Sequence, residues 1–177
     1  MEGVDKLAPL VPSFRKWIEE TAKNTRVDAG ISGPNAAEVL EREKGEFAKD
    51  LRYWDKECAA IDRGIRLLKE SREHWNGPGM QADPMGAPFE AWLTMNAAMG
   101  EVGKGKYDSW RLFQVAFIVS MIPAFATRIQ GFHHFYTEEG AEQQINAVTL
   151  LYFATGGGKS EAFLGLLLFV LVLDRLR

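Results

Sequence analysis

The chain has 177 residues, enough for one domain or one and a half with a sizeable core. Its 46% apolar and 25% charged residues exclude a disordered, collagen-like or low-complexity chain, and 21 Lys+Arg against 24 Asp+Glu leave no basic footprint of a nucleic-acid binder. A single cysteine, Cys58, allows neither an internal disulfide nor a zinc cluster, which points to a reducing, cytoplasmic setting, and the N-terminus lacks the long apolar stretch of a signal peptide.

A short helix is expected from Ser13 to Asn24, capped by Ser13 after Pro12, with Phe14, Trp17, Ile18 and Thr21 on one face. The Gly/Pro/Asn-rich stretch DAGISGPNAA ends it. From about Asn35 to Trp75, the residues Leu40, Phe47, Leu51, Trp54, Cys58, Ile61, Ile65, Leu68 and Trp75 recur mostly at steps of three and four. That is the seam of one long helix or two nearly collinear ones. Gly45 and Gly64 each cost such a helix about 1 kcal/mol and are candidate bend positions. Cys58 falls in the seam and reads as a buried thiol. NGPGMQADPMGAP (Asn76–Pro88) is a loop, Phe89–Met99 a helix and GEVGKGKYDS a second loop. Trp110–Ala126 is an apolar helix, kinked or ended near Pro123.

Ala147–Phe153 (AVTLLYF) has the pattern of a buried strand and runs into Thr155-Gly156-Gly157-Gly158-Lys159-Ser160. Ala162–Leu173 follows, twelve residues without a charge. A bilayer span takes roughly 20 apolar residues, so this segment reads as a fully buried helix and no membrane partner is expected.

Strand, glycine turn, Lys-Ser and helix, in that order, is the setting of a phosphate-binding loop. Glycines let successive backbone N–H groups turn towards phosphate oxygens, and the following helix adds its positive end. Lys159 is the expected catalytic residue, reaching the β- and γ-phosphates of ATP. Ser160 is the expected Mg2+ ligand, and Thr155, Gly156, Gly157 and Gly158 complete the cradle. The general pattern GxxxxGK[ST] would place a glycine where Phe153 stands. Superfamily 2 helicases relax that position, often to alanine, and TGGGKS resembles their form more closely.

Trp110-Arg111-Leu112-Phe113-Gln114 resembles the R-x-[FY]-Q segment upstream of the loop in many superfamily 2 proteins, where the glutamine amide reads adenine. Gln114 projects from an apolar face and needs partners. An adenine edge would satisfy it, and so would neighbouring backbone. The 45-position separation of Gln114 and Lys159 implies an insertion around Gly131–Gln144. Within it, His133-His134 has no third ligand nearby, and Glu138, Glu139 and Glu142 read as a solvated turn or helix start and not an acid pair.

Five segments together resemble the large helicase subunit of DISARM anti-phage defence systems. They are Trp17-Ile18, Arg63-Gly64-Ile65, WLTMNAAM (Trp92–Met99), WRLFQVAF (Trp110–Phe117) and FATGGGKSEAFLGL (Phe153–Leu166). The likeness is most specific over Tyr107–Leu166. It implies the ATP-binding N-terminal portion of an ATP-dependent DNA translocase with ATP and Mg2+ as cofactors. The implied partners are DNA and other defence-system subunits. Residues alone stop at a phosphate-loop ATP binder.

The expected fold is a mainly α N-terminal region (1–105) leading into the start of an α/β RecA-like domain (106–177). Only 17 residues follow Ser160. They leave no room for an acidic Mg2+-binding box or a second, arginine-bearing lobe, so the chain is expected to be the front of a larger protein, with most DNA contacts beyond it. The alternative is a non-enzymatic helical interaction module, in which the Leu40–Trp75 seam docks a partner and the loop is vestigial.

Overall fold

A computed structural model of the chain describes residues 3–105, 109–137 and 157–177, and every regular element among them is helical. The helices are α1 (Leu10–Asn24), α2 (Ala36–His74), α3 (Ala87–Gly103), α4 (Leu112–Ala126), α5 (His134–Thr137) and α6 (Lys159–Leu176). Short 3-10 turns occupy Val4–Leu7, Pro84–Gly86 and Gln130–Phe132. The strand expected at Ala147–Phe153 lies outside the described residues, as do Thr155, Gly156, Glu138, Glu139 and Glu142. The mainly α character therefore holds for what is described. Two compact units divide within α2: residues 9–59 form one, residues 1–8 with 60–177 the other.

In the first unit, α1 begins at Leu10 rather than at Ser13. Pro12 sits in its first turn, where a missing N–H costs nothing because the first N–H groups of a helix have no intrahelical acceptor. Trp17 links α1 to α2: its ring centroid lies 4.9 Å from that of Trp54 and 5.8 Å from that of Phe14. Phe47 meets Trp54 edge-on at 6.4 Å. Cys58 is fully buried, with Sγ 3.9 Å from the Val11 carbonyl, as its place in the seam requires.

In the second unit, the seam continues through Ile61, Ile65 and Leu68, all buried. The helix runs unbroken past both Gly45 and Gly64. Gly64 serves close approach instead of a bend. A Cβ placed there would lie 2.0 Å from the carbonyl oxygen of Val119 on α4. The reason sits four residues further on. Pro123, inside α4, has no N–H to give the Val119 carbonyl, so that oxygen is released from the helical ladder and turned towards α2. Pro123 does not end α4, which continues to Ala126.

The Asn76–Pro88 connection is a loop as expected, but a tightly tied one. Ser71 Oγ donates to the Met85 carbonyl (2.6 Å) and accepts from the Phe89 N–H (2.9 Å), pinning the end of α2 to the start of α3. Glu90, buried on α3, accepts from Trp75 Nε1 (2.7 Å) and from the Gly79 N–H (2.9 Å). Gln81 Nε2 donates to the carbonyls of Gly77 and Gly79. Helix α3 runs to Gly103, through the first residues assigned to the second loop.

Asp83 accepts from the Met85 N–H (2.9 Å) and pairs with His74 Nδ1 (2.7 Å). These bonds hold its carboxyl below the usual carboxylate range, the Met85 amide contributing most and His74 next. A carboxyl whose pKa is depressed by folding stabilises the native state above its unfolded pKa, and that contribution is lost as pH falls through the folded pKa. Asp83→Asn should therefore melt below wild type at neutral pH. Parallel melting curves show the difference shrinking as acid protonates Asp83, and a gap that stays constant with pH would refute this role.

Helix α6 packs against α3 and α4 through Ala162, Gly165, Phe169 and Leu173, which are buried. At Gly165 a Cβ would come within 2.7 Å of the Trp110 ring and 3.0 Å of Ile118 Cδ1. The expectation of a fully buried helix is corrected on its other side, where Phe163, Leu164, Leu167 and Leu171 are exposed. Hydrophobic composition signals burial without naming the cover, and among the described residues only one face of α6 is covered. No helix among the described residues is long and apolar enough to cross a membrane.

Candidate phosphate-binding site

The site is built where α4 begins and where α6 begins. Gly158 is the residue immediately before α6, with φ 88° and ψ 26°. That left-handed backbone suits glycine, and the space does as well: a Cβ at Gly158 would lie 2.7 Å from Gln114 Nε2. Without a side chain, Gly158 cannot cap the helix, so the first-turn N–H groups of α6 receive no side-chain bond from it. Lys159 and Ser160 are the first two helical residues, Lys159 partly buried and Ser160 exposed. Glu161 follows in the same turn.

Two side chains from the start of α4 reach the glycines. Arg111 Nη1 donates to the Gly157 carbonyl at 2.6 Å, and Gln114 Nε2 donates to the Gly158 carbonyl at 2.7 Å. The Gly158 carbonyl also accepts the first helical bond of α6, from the Ala162 N–H at 3.3 Å. Gln114 Oε1 in turn accepts from the Arg111 N–H at 2.8 Å, the third-position half of a capping box on α4. Gln114 is buried, and both its polar atoms thus bond to backbone. Its amide retains one further N–H and one further lone pair.

The next layer fixes α4 itself. Trp110 Nε1 donates to Asn96 Oδ1 (2.8 Å), and Asn96 Nδ2 donates to the Trp92 carbonyl (2.8 Å). Trp92 and Met95 of α3 are buried beneath. Residues of the WLTMNAAM, WRLFQVAF and GGGKSEAFLGL stretches are thereby joined in one hydrogen-bonded and packed assembly.

Of the expected site residues, the structure brings Gln114 into direct contact with Gly158 and sets Gly157, Lys159 and Ser160 next to it in the chain. Thr155 and Gly156 lie outside the described residues. Arg111 lies in the R-x-[FY]-Q-like segment with no role assigned by the pattern, and the Asn96 support carries no sequence signal. A glutamine at the third position of a helix after an extended residue is the available signal for the Gln114 cap. Nothing in the spacing points to Arg111 or Asn96, because both partners are far along the chain.

The other candidates stay apart from this site. His133 is exposed, and His134 sits at the start of α5 with Nε2 3.3 Å from Glu70 Oε2. No group of three or more His, Cys, Asp or Glu that could hold a metal ion occurs among the described residues. The seam of the alternative reading is largely taken up within the chain, since Cys58, Ile61, Ile65 and Leu68 are buried and Trp54 packs on Trp17.

No protein-family model matches this chain, and neither a curated protein nor a solved structure shows significant similarity to it.

Proposed function

We propose that residues 155–160 form the phosphate-binding loop of an ATP-binding domain, and that the chain is the ATP-binding N-terminal portion of a superfamily 2 DNA helicase or translocase of the DISARM type. One observation carries the reading. A glycine held in the left-handed region, directly before Lys159-Ser160, opens an 18-residue helix. A phosphate-binding loop needs both features: a backbone turn that only glycine adopts cheaply, and the positive end of a long helix behind it.

The residues present fit Mg2+-ATP. Lys159 would place its ammonium on the β- and γ-phosphates, Ser160 would offer its hydroxyl to Mg2+, and the glycine backbone would donate N–H groups to phosphate oxygens. Mg2+ would neutralise charge on the phosphates when bound. Gln114 is the proposed adenine contact, through the N–H and lone pair its backbone bonds leave over. The α/β character of the region rests on the strand pattern of residues 147–153, and the cytoplasmic setting rests on cysteine usage. DNA and defence-system partners rest on the family resemblance.

The test is the affinity of the full chain for MgATP with Lys159→Ala alongside. Loss of a charge-assisted contact to phosphate should weaken binding at least tenfold, since each 1.4 kcal/mol is a factor of ten. Equal binding by wild type and Lys159→Ala would remove the loop from the site.

A further inference from the structure

We propose that Arg111 and Gln114 together brace the glycine turn, and that Arg111 is a positioning residue for phosphate binding that acts only through the loop backbone. The inference rests on the phosphate-loop reading for its functional meaning, but the brace itself is read from bonds in the chain. A peptide unit is planar and trans, so its C=O and the following N–H point in opposite directions. Arg111 Nη1 holds the Gly157 carbonyl at 2.6 Å, which directs the Gly158 N–H away from α4. Gln114 Nε2 holds the Gly158 carbonyl at 2.7 Å, which directs the Lys159 N–H away from α4 as well. Two successive carbonyls tied to one side leave two successive N–H groups aimed to the other, the arrangement that binds an anion.

The brace is rigid for local reasons. Arg111 and Gln114 are locked to each other by the Arg111 N–H to Gln114 Oε1 bond (2.8 Å), and the neighbouring Trp110 is anchored to Asn96 (2.8 Å). The Gly158 Cα lies against the Gln114 amide so closely that a Cβ would displace it. Gln114 therefore serves the loop whichever base the nucleotide carries. Its removal should weaken binding of any polyphosphate, not of adenine nucleotides alone.

Full-length Arg111→Ala, Arg111→Lys and Gln114→Ala are to be compared with wild type in two measurements. The first is amide hydrogen exchange over Gly157–Ala162 without ligand. Arg111→Ala and Gln114→Ala should raise exchange there while leaving α2 and α3 as in wild type, and Arg111→Lys, which can still donate to a carbonyl, should restore much of the protection. The second is affinity for MgATP, MgGTP and inorganic tripolyphosphate. Both alanine variants should lose about tenfold on all three probes, the scale of one charge-assisted or buried hydrogen bond, and Gln114→Ala should lose more on MgATP than on the other two because its adenine contact goes as well. Unchanged exchange in both alanine variants would overturn the brace. A loss confined to MgATP in Gln114→Ala would overturn the shared role and assign Gln114 to adenine alone. If wild type binds none of the three probes, the phosphate-loop reading falls, and the exchange data still decide whether the brace exists.

Discussion

Gly64→Ala is expected to lower the stability of the chain by about 2–3 kcal/mol, although alanine is the better helix former. On propensity alone, replacing a glycine inside α2 should stabilise by about 0.5–1 kcal/mol. The opposite is expected at residue 64 because the new Cβ would sit 2.0 Å from the Val119 carbonyl oxygen and 2.8 Å from its carbonyl carbon. Both atoms belong to backbone, which cannot rotate aside as a side chain can. Helices α2 and α4 would have to separate. Gly45 provides the matched control: it lies in the same helix, and a Cβ there would meet nothing within 4 Å. Thermal melting of the two variants should therefore move in opposite directions, Gly45→Ala upward and Gly64→Ala downward by roughly 4–12 °C. Parallel shifts would show that the contact between α2 and Val119 is not as tight as described.

Glu90→Ala is expected to cost a similar amount, for a polar reason. The carboxylate is 7% exposed and receives two donors, Trp75 Nε1 just after α2 and the Gly79 N–H of the Asn76–Pro88 loop. Hydrogen bonds to a charged group contribute about 1.5–3 kcal/mol, and truncation leaves both donors without an acceptor. Glu90→Gln preserves size but replaces one acceptor oxygen with an NH2, which can satisfy only one of the two donors. Its cost should fall between wild type and alanine. Urea unfolding with a common m-value checks the order wild type > Glu90→Gln > Glu90→Ala, and a Gln variant as stable as wild type would show that one of the two bonds contributes nothing.

The long periodic elements were legible because their signal is repeated: the Leu40–Trp75 seam yielded α2 almost to its ends, and the apolar run after Lys159 yielded α6. Single residues with ambiguous signals were not. Ser13 after Pro12 looks like a cap, yet α1 begins earlier because a proline is harmless in a first turn. Gly64 looks like a bend, and its purpose becomes visible only with the Val119 carbonyl, a neighbour 55 residues away in sequence. The candidate site divides along the same line. Local spacing alone singles out the glycines, Lys159 and Ser160 as candidates, and Gly158 has the left-handed backbone of a tight glycine turn. Arg111 and Asn96 were missed, since their partners at Gly157 and Trp110 lie 46 and 14 residues distant and no short pattern encodes such pairs. Gln114 was singled out as a buried amide in need of partners, and the partners it has are the backbone groups of Arg111 and Gly158.

The measurement that bears most directly on the phosphate-loop reading is a backbone amide NMR titration of the full chain with MgATP. The largest shift changes should fall on Gly157, Gly158, Lys159 and Ser160, with smaller changes at Arg111 and Gln114, and they should be absent in Lys159→Ala. Saturable shifts elsewhere with these amides unmoved, or no shifts at millimolar MgATP, would contradict it.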